Sequence, residues 1–280
     1  MDPLVSKAKR ANKGGMMMAN LKRHIAPISQ EAWDFIDEEA RRILNLKLTA
    51  RKVVDFVGPK GMDFAAVNTG RKIAIEETPL DGVKYSKRQV LPMVEIEVPF
   101  KLKMDEIESL MRGAEDVETD TLIEAAEKIA KAENQAIYNG LSNANIKGIL
   151  PISENNPVKV EDDLVTPVAE GVRILEDQGI EGPFNLLVGD KFRSLLYKPN
   201  DKGYPAKRRL ENLLEGQIFF APDLKDKGLI LPVNNEDFEF IVGQDISVGY
   251  SHQEADELVF FLIESFTFRV NAPEASVVLE

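Results

Sequence analysis

Apolar residues between positions 30 and 48 return every three or four residues, from Trp33 through Leu44. This spacing predicts an amphipathic helix with one apolar stripe. Ser29 is the expected N-cap, because its hydroxyl can accept a hydrogen bond from a free amide of the first turn. A long early helix with a single apolar stripe is expected to dock on a core.

Three further elements are predicted between residues 93 and 139. Apolar and charged residues alternate over 93–102, which is typical of a half-buried strand. A short helix is expected over 105–111, and a long one over 122–138. Thr121–Glu124 resembles a capping box and Asn139–Gly140 a stop signal for the long helix.

Residues 65–92 carry few apolar side chains and contain a turn signal at Asp81–Gly82. Their pattern predicts a long two-stranded excursion. A lone hairpin is marginal in water and must pack on something. Because the segment has so little apolar content of its own, it is the first indication of a partner subunit.

Beyond Gly148 the pattern alternates between helices and strands, and from Phe238 onward it predicts strands alone. A polar, proline-bracketed loop covers 198–205. A short strand is also expected earlier, over 52–57. The later helices are expected over 164–178, 191–197 and 208–215, and the later strands over 184–188, 218–220, 229–233, 238–242, 246–250, 258–270 and 276–279.

The composition narrows the classes of function. The chain has 280 residues and no cysteine, which excludes a disulfide scaffold, a thiolate metal site and a cysteine nucleophile. It has two histidines, too few for most histidine-based metal sites. A formal net charge of −12 disfavours general nucleic-acid binding. The sequence contains no run of about 18 uncharged apolar residues, the length needed to span a membrane. No secretory signal is recognised either, so the expected location is the cytoplasm.

Residues 1–20 are polar and basic and end in Met16–Met18 followed by Ala19–Asn20. They are expected to be disordered. Two interpretations stay open: residues 1–17 are a misassigned start or an expression leader, or they form a basic arm with a function.

The sequence offers no recognisable catalytic or metal site. A Walker A loop, a dinucleotide-binding glycine motif, a nucleophile elbow and a zinc-protease helix motif are all missing. Glu124, Glu127 and Lys131 are most simply interpreted as solvated charges on a helix. His252 near Asp256 is best interpreted as a surface histidine. We therefore expect a binding or structural protein, with no catalytic residue, no metal and no cofactor.

An ordered set of motifs from residue 21 to the C terminus resembles the encapsulin shell proteins, also called linocin-like proteins. No single motif is decisive, but their order is specific. They are Leu21–Ser29 with Trp33, Ala50–Asp55, Gly58–Pro59, Ile180–Phe184, Gly203–Pro205, Gly243–Tyr250, Glu264–Phe268 and Pro273–Ala275.

The resemblance implies an α+β fold of the Hong Kong 97-type phage capsid class. It also implies a cytoplasmic icosahedral nanocompartment built from a multiple of sixty copies. Such a shell encloses a peroxidase or a ferritin-like iron-storage enzyme through a C-terminal targeting peptide. The expected divisions are a leader or arm (1–20), an N-terminal helix with the start of a peripheral domain (21–64), an E-loop (65–92), more peripheral domain (93–148), an axial domain (149–231) and closing peripheral strands (232–280).

The resemblance also implies a groove for the cargo peptide. Arg51 and Asp55 would be its polar anchors, and Val54, Phe240, Ile246 and Val248 its apolar contacts. An extended peptide needs a few apolar pockets and one or two charge-assisted hydrogen bonds. The alternative is that Arg51 and Asp55 only pair with each other.

The loop 198–205 would line a pore at a five-fold axis through Asn200, Asp201, Lys202 and Gly203. Many relatives have a histidine where this chain has Gly203, so a histidine-ringed pore is not expected. Relatives that bind flavin stack it on a tryptophan, and Asp105 occupies that place here. No flavin is therefore predicted.

Two other classes compete with the shell. A prophage or viral major capsid protein would share the fold, and linocin-like proteins have been labelled as bacteriocins or proteases. The groove residues and the lack of a scaffolding region favour the shell over the capsid. The lack of a nucleophile–base set argues against hydrolysis.

Overall fold

Two β-sheets organise the chain in the computed structural model, which describes residues 20–77, 79–199, 203–233 and 236–280. The helices are α1 (Gln30–Lys47), α2 (Met104–Met111), α3 (Asp120–Asn139), α4 (Ile149–Ile152), α5 (Val165–Asp177), α6 (Asp190–Arg193) and α7 (Ala206–Leu214). The strands are β1 (Asp55–Val57), β2 (Ala66–Ile75), β3 (Tyr85–Pro92), β4 (Val94–Lys103), β5 (Gly140–Leu141), β6 (Ile146–Lys147), β7 (Phe184–Val188), β8 (Glu215–Phe220), β9 (Gly228–Pro232), β10 (Phe238–Val242), β11 (Ser247–Glu254), β12 (Glu257–Val270) and β13 (Val277–Leu279).

The long strand β12 is the centre of the first sheet. It pairs with β4 along one edge, and with β11 and then β10 along the other. β1 joins the sheet beside β10 in parallel. The alternation in β4 is as predicted, with Phe100 and Leu102 buried and the charged residues between them exposed. This sheet is the floor on which α1 and α3 pack.

Helix α1 forms where the sequence predicts it, and Ser29 caps it through a hydrogen bond that its Oγ accepts from the Ala32 amide at 3.2 Å. The apolar stripe faces the first sheet. Trp33 meets Phe260 edge to face, with ring centroids 5.5 Å apart, and Phe260 stacks on Phe100 at 5.4 Å. Aromatic pairs of this geometry stabilise a core beyond the area they bury.

Helix α3 also forms as predicted, but its predicted capping box is wrong. The Thr121 hydroxyl donates a hydrogen bond to the Lys101 carbonyl on β4 instead of capping the helix. The helix begins at Asp120, and its N-cap Thr119 makes no side-chain cap bond. The long-range contact between helix and sheet competes successfully with the local motif.

The second sheet has the order β13-β9-β7-β8, with β7 and β8 parallel. Its edge strand β13 comes from the C-terminal end of the chain. β13 pairs with β9, and the Val158 amide bonds to the Val278 carbonyl at 2.8 Å. Val277 and Leu279 are buried in the same core cluster as α5 and β7, so burial holds the C-terminal strand in this sheet.

Strands β2 and β3 form the predicted two-stranded excursion, here called the arm (residues 66–92). They hydrogen-bond as strands only with each other among the described residues. Ile73 and Ile75 on β2 keep 53% and 45% of their surfaces exposed. The arm therefore presents apolar side chains that nothing in the described chain covers.

Other segments differ from the predictions in their bounds or lie outside the description. The strand expected over 52–57 is a 3₁₀ turn at Ala50–Lys52 followed by the short β1. The helix expected over 191–197 is α6 followed by a 3₁₀ turn. Residues 1–19 lie outside the described chain, so the expectation of disorder there is untested. No helix within the described ranges is long and apolar enough to cross a membrane.

A buried amide joins α1 to α3 and yields a first prediction. Asn134 is fully buried. Its Oδ1 accepts hydrogen bonds from the Thr49 and Ala50 amides at 3.1 and 3.0 Å, and its Nδ2 donates to the Lys47 carbonyl and to Asp223.

Asn134→Leu leaves two buried amides unpaired, so we expect it to lower the free energy of unfolding by about 2–6 kcal/mol. Urea unfolding measures the loss. The exposed Asn45→Leu is the control and should change stability by less than about 0.5 kcal/mol; equal losses for both variants would contradict the assignment.

Candidate functional site

A groove of about 790 Å³ lies between α1 and the start of β11. It brings together three of the six residues predicted for peptide binding: Arg51, Ile246 and Val248. The groove is also lined by residues of α1, β11 and β12 and by residues of the segment before α1. The other lining residues are Leu21, Arg23, His24, Gln30, Trp33, Asp37, Ala40, Arg41, Leu44, Asn45, Leu48, Asp245, Ser247 and Leu262.

The other three predicted residues do not line this groove. Phe240 is fully buried, with its ring 5.2 Å from the Arg51 guanidinium, so it supports the arginine from the core side. Val54 is buried in the same core cluster as Phe240. Asp55 begins β1 opposite Glu239. Arg51 and Asp55 do not form an ion pair, so the alternative that they only pair with each other is wrong.

Arg51 is instead the centre of an ion-pair network, here called the Arg51 cluster (Arg51, Glu133, Asp245 and Glu264). Its Nε donates to Glu133 on α3 at 2.7 Å, and one terminal nitrogen donates to Asp245 at 2.7 Å. The other terminal nitrogen bonds Glu264 on β12. The side chains of Glu133 and Glu264 are fully buried, whereas that of Asp245 is 42% exposed at the groove.

Three carboxyls share one guanidinium in the Arg51 cluster, and this imbalance shifts their protonation. Burial and the neighbouring Glu133 raise the pKa of Glu264 well above its usual value of 4.5. Burial also raises the pKa of Glu133, against the attraction of Arg51. Burial disfavours the Arg51 cation, but its carboxylate partners outweigh that cost and raise its pKa. A proton held by the two buried glutamates therefore relieves their repulsion.

The groove has an apolar floor and a charged rim. Arg23 pairs with Asp37 at 2.7 Å and lies over the Trp33 ring at 4.0 Å. Arg41 and His24 are exposed along the same rim. Apolar pockets bordered by exposed charges suit a short extended peptide better than a small metabolite.

Sequence reasoning missed Glu133 and Glu264, although each left a signal. Glu133 falls at helical spacing in the buried stripe of α3, between Ile129 and Ile137. Glu264 interrupts the apolar run of β12. A carboxylate at a core position requires a buried partner, and the nearest arginine in space comes from a segment 82 residues before Glu133.

The predicted pore residues are described only in part. Asn200, Asp201 and Lys202 lie outside the described residues. Gly203 is exposed, with φ +80°, in the loop before α7. This conformation favours glycine over a side chain such as histidine.

The features considered for catalysis have ordinary structural partners. Glu127 pairs with Lys47 at 2.8 Å. His252 is exposed and its Nδ1 lies 3.0 Å from the Ser251 hydroxyl. Across the described ranges, no group of three or more His, Asp or Glu side chains is placed to hold a metal ion.

The sequence matches the family described as "Encapsulating protein for peroxidase" over residues 18–267. Among curated relatives, the type 1 encapsulin shell protein of Rhodospirillum rubrum is 38% identical over 271 residues, which span 94% of this chain and 96% of the relative.

Solved structures show the same fold. A virus-like particle protein from Pyrococcus furiosus aligns with a TM-score of 0.59 at 23% identity, covering 87% of this chain and 98% of that one. The capsid protein of Myoviridae phage XM1 aligns with a TM-score of 0.55 at 11% identity, covering 83% and 91%. The predicted phage-capsid fold is confirmed.

The raised pKa of Glu264 predicts a pH dependence of stability. A carboxyl with a higher pKa in the folded chain binds its proton more tightly there, so it favours folding at low pH. Its contribution is lost as the pH rises from about 4.5 through the folded value. Glu264→Gln keeps a neutral acceptor for Arg51, so the variant should lose less stability than the wild type between about pH 5 and about pH 8.

Urea unfolding at both pH values measures this difference, which amounts to about 1.4 kcal/mol per unit of pKa shift. The exposed Glu118→Gln, which removes a 2.8 Å pair with Lys103, is the control. A pH dependence in Glu264→Gln identical to that of the wild type would show that the buried pair does not titrate as described.

Proposed function

The chain belongs to the family of encapsulating shell proteins, and from this membership we propose that its copies assemble into a closed icosahedral shell that encloses a cargo enzyme. Members of this family are structural proteins, so the chemistry belongs to the cargo and not to the shell. The proposed copy number is a multiple of sixty, and the proposed location is the cytoplasm. The observation that carries the proposal is the arm, whose apolar side chains are exposed in a chain with the fold of this family.

The arm supports assembly because it cannot bury its own apolar side chains. Besides Ile73 and Ile75, Leu80, Val83 and Val90 are between 42% and 59% exposed. A two-stranded ribbon is marginal alone, and exposed apolar patches mark interaction sites. A neighbouring copy of this chain would cover the arm and would be bound by it.

The groove supports cargo binding through a C-terminal peptide. Its apolar floor is formed by α1 and β11, and Asp245 offers one exposed carboxylate beside Arg51. Apolar side chains of an extended peptide would occupy the floor, and its polar groups would meet the rim. The family description favours a peroxidase as cargo; a ferritin-like iron-storage protein is the other cargo we propose.

The loop before α7 is proposed to border an opening of the shell. It follows the 3₁₀ turn Ser194–Tyr197, and Tyr197 and Tyr204 at its ends are 62% and 55% exposed. Gly203 and the three residues before it would line the opening. The phage capsid protein shares the fold alone, so a viral capsid role has weaker support than the shell.

Assembly should depend on the apolar side chains of the arm. Ile73→Asp places a charge on the exposed apolar face of β2, and we expect it to reduce the assembled fraction at least about tenfold, because a buried unpaired charge costs more than 1.4 kcal/mol. Ala74→Asp, on the opposite face of the same strand, is the matched control. Sedimentation velocity measures the assembled fraction, and circular dichroism checks the fold. Full assembly of Ile73→Asp would contradict burial of this face.

Cargo loading should depend on free space in the groove. Asn45→Trp fills the groove from the exposed side of α1, whereas Leu46→Trp adds the same ring at the adjacent position, which does not line it. The probe is a fluorescent protein carrying the C-terminal targeting peptide of a peroxidase cargo. Co-expression should load the Asn45→Trp shell about tenfold less than the Leu46→Trp shell. Equal loading of both shells would contradict the groove, while leaving assembly itself untouched.

A further inference from the structure

A second depression, of about 400 Å³, lies on the face of the first sheet opposite α1. We call it the β4–β12 pocket, and its lining includes Glu95 and Glu97 from β4 and Phe261 and Ile263 from β12. Side chains alternate along a strand. Since Phe260 and Leu262 are buried in the core under α1, their neighbours Phe261 and Ile263 face this pocket.

The two glutamates in the pocket lack partners. Glu95 and Glu97 are exposed and form no ion pair or hydrogen bond within the described residues. Lys22 also lines the pocket but pairs with neither of them. Farther along the same sheet, by contrast, the Lys101 amine forms ion pairs with the carboxylates of Glu254 and Glu257, at distances of 2.7 and 3.0 Å.

A buried amide in the same pocket also lacks a partner. Gln244 is 3% exposed and lines the pocket, yet its Nε2 has no hydrogen-bond partner in the described chain. Its backbone is fixed, because its amide donates to the Ser265 hydroxyl at 2.8 Å and its carbonyl accepts from the Ser265 amide at 3.0 Å. A buried donor without an acceptor is costly, so a ligand that supplies a carbonyl oxygen would stabilise it.

Together these groups specify the chemistry of an occupant. The two carboxylates attract cationic side chains, the Gln244 amide can donate to a carbonyl oxygen, and Phe261 and Ile263 offer apolar contact. A basic peptide with some apolar side chains supplies all three.

Such a peptide precedes the described chain. The first described residue, Asn20, itself lines the pocket, and its Nδ2 lies 3.2 Å from the Met62 sulfur. Residues 1–19 contain four basic residues (Lys7, Lys9, Arg10 and Lys13), one acidic residue (Asp2) and the run Met16–Met18. We propose that residues 1–19 dock in the β4–β12 pocket of their own subunit, with their basic side chains against Glu95 and Glu97.

Docking of residues 1–19 would correspond to the second interpretation of these residues, a basic N-terminal segment with a function. It does not depend on cargo binding, because the lining residues of the pocket and of the groove have only Leu21 in common. The methionines lie two to four residues before Asn20, which lines the pocket, and methionine fits irregular apolar surfaces.

Carbodiimide crosslinking of the full-length protein in its native assembly tests the contact directly. The reagent joins a lysine amine to a carboxylate that it touches, and peptide mass spectrometry locates the link. We expect links from Lys7, Lys9 or Lys13 to Glu95 or Glu97. The Lys47–Glu127 and Lys101–Glu254 pairs, at 2.8 and 2.7 Å, are internal positive controls. Links at the controls without any from residues 1–19 to the pocket would overturn the proposal.

Assemblies made from mixed heavy- and normal-isotope subunits show which subunit supplies the peptide. Links found exclusively within one isotope type support docking in the same subunit. Links found between isotope types about as often as within them would show that a neighbouring subunit supplies the peptide, and would overturn that assignment.

Trypsin cleavage after the basic residues of the N-terminal segment gives a second, functional readout. Glu95→Gln combined with Glu97→Gln should speed cleavage about three- to tenfold, the effect of losing two exposed ion pairs. Glu115→Gln with Asp116→Asn, an exposed acidic pair elsewhere, is the matched control and should leave the rate unchanged. High salt should accelerate cleavage of the wild type, because it screens exposed charges. Equal rates for both double variants would also overturn the proposal.

Discussion

The groove depends on one buried guanidinium. Arg51 follows α1 and binds carboxylates from α3, from the loop before β11 and from β12. Two of these elements also line the groove, the loop before β11 through Asp245 and β12 through Leu262. Breaking a buried pair by removing one partner leaves an uncompensated charge and costs about 3–5 kcal/mol. The arginine thus fixes the position of the groove as well as lining it.

The same cluster explains why Arg51 is a poor simple anchor for a ligand. Its guanidinium is already occupied, and its side chain is 15% exposed. The exposed partner, Asp245, is the member of the cluster that the proposed cargo peptide would reach. A ligand that engages Asp245 would alter the charge balance on Arg51 and, through it, on the buried glutamates. The cluster would in this way couple the proposed peptide binding to the electrostatics of the core.

Most of the secondary structure could be predicted because it follows from the local spacing of apolar and polar residues. The stripe of α1, its Ser29 cap, the alternation of β4 and the thin pattern of the arm all follow from neighbouring residues. The wrong capping box comes from a long-range contact, because Thr121 bonds β4 instead of capping α3. The sheet that β13 joins is likewise decided by a long-range contact, the burial of Val277 in the core of the second sheet.

The site was less predictable than the fold for the same reason. Family resemblance led to Arg51, Ile246 and Val248, which do line the groove. It also led to Phe240, which is in the core. The partners of Arg51 stand 82, 194 and 213 residues away in sequence, so no local pattern could identify them. Only the odd placement of Glu133 and Glu264 among apolar residues hinted at a buried charge network.

The central claim is that this chain builds a closed shell, with its arm buried against neighbouring copies. Size-exclusion chromatography followed by electron microscopy of the purified full-length protein tests that claim most directly. The account predicts uniform hollow particles of megadalton mass with icosahedral symmetry. Particles of one or two subunits, in several buffers, would contradict it and leave the exposed apolar face of the arm without a partner.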